Sequence, residues 1–100
     1  MKLWIDDTRP APHGYKWLQS VNEAIWWIET NERIAKYCIA LIDLDHDAGD
    51  YANDGGDYIK LLDWLEETGR NYPIRIHSMN PVGAENMRRI IRRNGWAEVM

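Results

Sequence analysis

The sequence predicts a small α/β domain built on a parallel sheet. Short apolar runs alternate with amphipathic stretches at helical spacing, and a polar cluster follows each run. The clusters are Asp6-Asp7, Asp43-Leu44-Asp45-His46-Asp47 and His77-Ser78-Met79-Asn80. In an open parallel sheet ligands bind outside the carboxyl ends of the strands, so the three clusters are expected to meet at one edge as an acidic, histidine-bearing pocket.

Leu3-Trp4-Ile5 reads as a first strand ending at Asp6. Pro10, Pro12 and Gly14 make Thr8–Tyr15 a loop. Ser20 and Glu23 have capping-box spacing, and Val21, Ala24, Ile25 and Ile28 follow at helical intervals; this helix is expected to end between Thr30 and Tyr37. Cys38–Ile42 is a continuous apolar run, as in a strand buried on both faces. A glycine-rich polar loop, Asp45–Gly56, leads to a second helix with Tyr58, Leu61, Leu62 and Leu65 on one face and Gly69 at its stop.

Pro73–Ile76 is the next strand, with Arg75 turned away from its apolar neighbours. Asn80-Pro81 starts a third helix, because Asn caps and Pro suits the first helical position. Met87, Ile90 and Ile91 form its inner face, Asn94-Gly95 ends it, and Ala97–Val99 has room for a short last strand. The order is βαβαβα with an optional final β. Right-handed crossovers then give a three-layer sandwich with a parallel sheet of three to four strands, a single domain over 1–100.

One hundred residues with 45% apolar content suffice for one core without staples, and six Trp supply the bulk that the absent Phe would have given. A lone Cys38 excludes an internal disulfide framework and suits a reducing compartment. No signal-peptide core fits Met1–Asp7 and no apolar run is long enough to span a membrane, so the chain reads as soluble and cytoplasmic. Residues 1–69 hold 14 acids against 6 bases, and residues 70–100 hold 6 bases against 2 acids. An acidic body with a basic tail does not suit duplex DNA. Arg88, Arg89, Arg92 and Arg93 read as a solvated face that complements the helix dipole. The oligomeric state is not legible.

Six aspartates between Asp43 and Asp57, with no Lys or Arg among them, repel one another unless a divalent cation relieves the repulsion. Oxygen ligands favour Mg²⁺, Mn²⁺ or Ca²⁺; Mg²⁺ or Mn²⁺ is the expected ion, and the expected set is Asp6, Asp7, Asp45 and Asp47. An EF-hand fits poorly: Ala48 stands where Gly is required, Asp54 replaces the bidentate Glu, and a strand precedes the loop. Asp50 and Asp54 read as turn residues. His46 and His77, beside carboxylates at adjacent strand ends, are candidates for proton transfer with Asp45. Arg9, Ser78 and the helix start at Asn80 are candidates for holding phosphate.

Taken together, Ile5-Asp6-Asp7-Thr8-Arg9-Pro10, Leu44-Asp45-His46-Asp47-Ala48-Gly49, Gly56-Asp57 and His77-Ser78-Met79-Asn80-Pro81-Val82-Gly83, running on to Asn86-Met87, resemble the cyclic-phosphate-processing receiver-like family. This is a divergent branch of the response-regulator receiver fold. The resemblance implies a receiver-like (flavodoxin-like) sandwich handling cyclic phosphate ends of RNA or of small nucleotides. It implies Asp6 and Asp7 at a divalent metal, Asp45 where a phosphoacceptor sits, and Ser78 against the phosphoryl group. Two departures stand out. Too little chain separates the first helix from Cys38 for the usual second strand and helix, so one strand–helix unit is expected to be missing. No Lys follows the last strand. Both count against two-component signalling. The leading expectation is a metal-dependent phosphoesterase; the rivals are a binding module without turnover and a receiver phosphorylated on Asp45.

Overall fold

The computed structural model describes residues 1–100, with strands β1 (Lys2–Ile5), β2 (Tyr15–Leu18), β3 (Leu41–Leu44) and β4 (Ile74–Ile76). The α-helices are α1 (Val21–Asn31), α2 (Ile59–Glu67) and α3 (Pro81–Asn94), and short 3-10 turns occupy Ala35–Tyr37 and Gly49–Asn53. The sheet is parallel throughout in the order β2-β1-β3-β4. The α/β class and parallel sheet are those the sequence predicts. Ala97–Val99 contributes a bridge, Glu98 lying parallel to Ile74.

The helix signals act where they were read. Ser20 caps α1 by accepting from the Glu23 amide at 3.0 Å, and the Glu23 carboxylate accepts from the Gln19 amide. Asn80 accepts from the Gly83 amide at 3.0 Å with Pro81 opening α3, and Gly95, at φ +67°, closes it.

Two elements differ from expectation. Tyr15–Leu18 is a strand rather than the end of a loop, so the second strand expected to be missing is present, before the first helix. What is missing is a helix between β1 and β2: residues 6–14 cross as an irregular loop. The third strand begins at Leu41 and runs to Leu44, which places Asp43 inside the sheet instead of at its end.

The crossovers also decide the layers. The connections through α1 (β2 to β3) and α2 (β3 to β4) step the same way along the sheet, and α3 leads onward to the bridge outside β4. Right-handed crossovers in one direction place their helices on one face. A single core accordingly joins Leu3, Ile5, Leu18, Ile42, Leu44 and Ile74 to the inner faces of all three helices. Of the three layers expected, the one on the far side of the sheet is reduced to the 6–14 loop. That face carries Lys2, Trp4, Tyr15, Trp17, Leu41, Asp43 and Arg75, in register.

The end of α1 is tied to the α2–β4 connection. Arg70 donates twice to Glu32, at 2.7 and 3.1 Å, Tyr72 Oη donates to the same carboxylate, and the Arg70 guanidinium lies 4.2 Å from the Trp64 ring centroid. The Arg70 hydrogen bonds hold the Glu32 carboxyl below its ordinary value of 4.5 against a smaller opposing effect of burial, while burial and Glu32 push Tyr72 up to about 12. A depressed carboxyl binds fewer protons folded than unfolded, so its stabilisation is present above the ordinary value and is lost as pH falls through the folded one. Glu32→Gln is expected to cost about 1–3 kcal/mol at pH 7. The difference from the parent should shrink as pH drops below the ordinary glutamate value, read from urea midpoints of both proteins across the acid range.

Candidate functional site

Asp6 follows β1 directly and is fully buried. Its carboxylate accepts from the Thr8 amide (3.0 Å), the Arg9 amide (2.8 Å) and Arg9 Nε (3.0 Å), and His77 Nε2 lies 2.9 Å away. The tight turn at Thr8-Arg9 therefore serves Asp6 rather than a helix. Burial works against its ionisation, yet the Arg9 amide, His77, the Thr8 amide and the Arg9 charge together hold it below the usual aspartate value. Asp7 is shifted the other way: burial pushes it up, and the neighbouring Asp6 adds to that.

Asp45 follows β3, and its side-chain oxygens reach those of Asp6 and Asp7 within 4.8 Å. Arg9 spans this group: its terminal nitrogen donates to Asp45 Oδ2 at 2.9 Å and to the His77 carbonyl at 3.2 Å. Gly49 closes one side at φ +55°, where an added Cβ would stand 2.3 Å from Asp7 Oδ2. Beneath lies Tyr58, fully buried, its hydroxyl donating to the Gln19 carbonyl at 2.7 Å and its pKa raised by burial and by Asp7, Asp6 and Asp45.

His77 follows β4. Nδ1 lies 2.6 Å from Asp43 Oδ1, Nε2 faces Asp6, and the ring stacks on Trp4 at 3.8 Å with 4° between planes. The candidate for proton transfer His77 thus has both ring nitrogens against carboxylates of the chain itself, Asp43 and Asp6. Asp43 is fully buried within the sheet, where it also accepts from Arg75 at 3.1 Å.

His46 and Asp47 stand apart from the Asp6 group. Asp47 Oδ1 is 2.8 Å from His46 Nδ1, and these two with Asp57 form a second cluster with ligand atoms within 4.8 Å. Asp47, expected among the metal ligands with Asp6, Asp7 and Asp45, belongs to this second cluster because it points along the loop toward α3. Asn80 Nδ2 approaches it at 3.4 Å. Ser78 Oγ accepts from the Asn80 amide at 3.0 Å, so both Ser78 and Asn80 shape the entry to α3.

The His46 ring lies on the first turn of α3, where a Cβ at Gly83 would come within 2.5 Å of it. Ala in place of Gly gains about 1 kcal/mol of helix propensity, but pushing a ring aside costs about 1–3 kcal/mol. Gly83→Ala should therefore be neutral to destabilising by about 2 kcal/mol, with the His46 ring resonances displaced in NMR spectra; a stabilised protein with unmoved His46 signals would contradict this packing.

The clusters converge at an open rim, not in a pocket: no cavity opens beside them, and the Arg9 side chain occupies the space between Asp6 and Asp45. Asp54 is structural, accepting from Ser20 Oγ at 2.6 Å and Asn22 Nδ2 at 3.0 Å. Of the basic residues of α3, Arg88 pairs with Glu98, Arg92 with Glu85 and Arg93 with Glu66. No helix is long and apolar enough to cross a membrane. Trp4 has one signal in the sequence, its place two residues before Asp6, and Gly49 has one, its place in the segment Leu44–Gly49.

A protein-family model described as cyclic-phosphate processing receiver domain matches residues 1–93. No curated protein and no solved structure matches the chain.

Proposed function

The chain belongs to the cyclic-phosphate processing receiver domain family, and from that premise we propose that it hydrolyses a cyclic phosphate, on an RNA end or a small nucleotide, at the rim formed by Asp6, Asp45 and His46. The observation that carries this reading is that two unlike groups start from consecutive residues of one loop, Asp45 in the first and His46 in the second, with the His46 amide donating to Asp45. One is an all-oxygen cluster, Asp6, Asp7 and Asp45, within 4.8 Å; the other is a His46–Asp47 pair.

A divalent cation fits the first group. Its donors are all carboxylate oxygens, as hard cations require; Asp6 already accepts from the Thr8 and Arg9 amides, from Arg9 Nε and from His77, so the cation would enter where Arg9 now spans Asp6 and Asp45. When bound, Mg²⁺ or Mn²⁺ supplies charge to polarise a phosphoryl oxygen. Arg9, already at the carboxylates and 45% exposed along its side chain, is placed to turn its guanidinium onto the phosphate. Ser78 retains its hydroxyl proton for a phosphate oxygen.

His46 is held through Nδ1 by Asp47, leaving Nε2 free. Water adds its oxygen to phosphorus, the bond to one ribose oxygen breaks, and Nε2–H gives that leaving oxygen its proton. The proton lost by water passes to solvent, and His46 is reprotonated from solvent. Asp43, His77 and Trp4 act through Asp6, fixing the buried carboxylate.

The open rim favours one rival, a module that binds the phosphate without turnover. Purified protein with Mg²⁺ or Mn²⁺ separates the two on 2′,3′-cyclic nucleotides and cyclic-ended oligonucleotides. Ring opening that stops with EDTA and with Asp45→Asn supports hydrolysis. Thermal stabilisation by the same compounds with no product supports binding, and neither effect removes both readings.

A further inference from the structure

On the far side of the sheet, Trp4 and Asp43 serve the site through His77, and the rest of the face is left unused. All-parallel sheets are ordinarily covered on both faces, yet this face has no helix over it. Its composition also differs in kind from the helix-covered face. The latter is Leu and Ile: Leu3, Ile5, Leu18, Ile42, Leu44 and Ile74. The open face presents half-buried Trp4, Tyr15 and Trp17 with exposed Lys2 and with Arg75, which pairs with Asp43, while Leu41 and Asp43 lie buried in it. Its aromatic residues stand outside the hydrophobic core. A packed helix would be met by aliphatic side chains; indole and phenol rings among cations match nucleobases and phosphates.

The aromatic residues are neighbours. Trp4 is in register with Trp17, and its ring meets Tyr15 edge-on at 5.8 Å. Lys2 lies 5.4 Å from the Tyr15 ring centroid. The face also runs directly into the site: Trp4 stacks on His77, and Trp17 Nε1 donates to the Asp6 carbonyl at 2.8 Å. From β2 to β4 it spans about 14 Å at the usual strand spacing.

We infer that this face is a platform for single-stranded RNA, holding the nucleotides behind the end whose cyclic phosphate reaches the rim. The inference rests on the proposed function for the terminal group and selects the RNA chain over a free nucleotide as substrate class. Stacking on aromatic rings tolerates any base, and the flanking cations make binding salt-dependent.

The platform acts without the terminal ring, so it is tested without it. An ordinary-ended oligouridylate, titrated into the metal-free protein, should quench tryptophan fluorescence and bind about tenfold or more tightly than 2′,3′-cyclic UMP, less tightly as salt rises. Lys2→Glu with Tyr15→Ala should weaken oligomer binding about tenfold or more and leave opening of the mononucleotide ring unchanged. Lys2→Glu alone, at an exposed position, carries the test should the double variant not fold. The inference is overturned if the oligomer binds no better than the mononucleotide, or if the variants bind it undiminished. It also falls if sedimentation shows a dimer that the variants dissolve, since a second copy would then cover the face. Oligomer binding without ring opening would instead remove the proposed hydrolysis and leave the platform standing.

Discussion

Asp43→Ala is expected to cost about 3–5 kcal/mol, out of a total of roughly 5–15 kcal/mol for a domain of this size. The carboxylate is fully buried in a central strand and serves two partners, His77 Nδ1 at 2.6 Å and the Arg75 guanidinium at 3.1 Å. The Arg75 contact contributes little, because its side chain is 44% exposed and water replaces the lost partner. Most of the effect comes from His77, whose side chain is only 10% exposed and which would be left with an unpaired donor. The melting temperature should drop by about 12–40 °C. Arg75→Ala should move it far less, and Asp43→Asn, which keeps volume and an acceptor oxygen, should fall between. If Asp43→Ala melted with Arg75→Ala, the buried Asp43–His77 contact would carry no weight. Because His77 fixes Asp6, the loss should spread to the site and appear as displaced Asp6 and Arg9 signals in the folded fraction.

The same residue marks how far the sequence could be read. The helices were legible because four of their six limits had their own chemistry: Ser20 with Glu23, Gly69, Asn80-Pro81, and Gly95. The buried strand was displaced because an aspartate ended the apolar run. In isolation Asp43 looks like the first polar residue after a strand, and only His77 and Arg75, far along the chain, make it a strand residue. Tyr15–Leu18 was missed for a related reason. Parallel neighbours are ordinarily joined by a helix, and the Pro- and Gly-bearing stretch before it gave no such signal. The missing helix is also why one sheet face stayed open. At the site, Asp6, Asp7, Asp45 and His77 were placed at one edge by strand order alone. Asp47 was not separable from them by spacing, because one turn of loop decides which way it points. The double engagement of His77 was likewise hidden, depending as it does on two side chains from two other strands.

His46→Asn should lower ring opening by about 10²–10⁴-fold, equivalent to about 3–5 kcal/mol of barrier, while the protein stays folded. The argument is one of availability. His77 has both nitrogens committed to carboxylates, whereas His46 uses only Nδ1, on Asp47, and its side chain is 15% exposed at the rim. Asparagine preserves a hydrogen-bond donor near Nδ1 but has no group that can carry a proton to the leaving ribose oxygen. Asp47→Asn should lose much less, about tenfold, because Asp47 is 59% exposed and water can take over part of its role in orienting the ring. Added imidazole should restore part of the His46→Asn rate and none of the Asp45→Asn rate, which separates a lost proton donor from a lost carboxylate. An unchanged rate in His46→Asn would assign proton transfer to another group. A loss of equal size in His46→Asn and His77→Asn, both uncorrected by imidazole, would show that His46 supports the loop beside α3 rather than the chemistry.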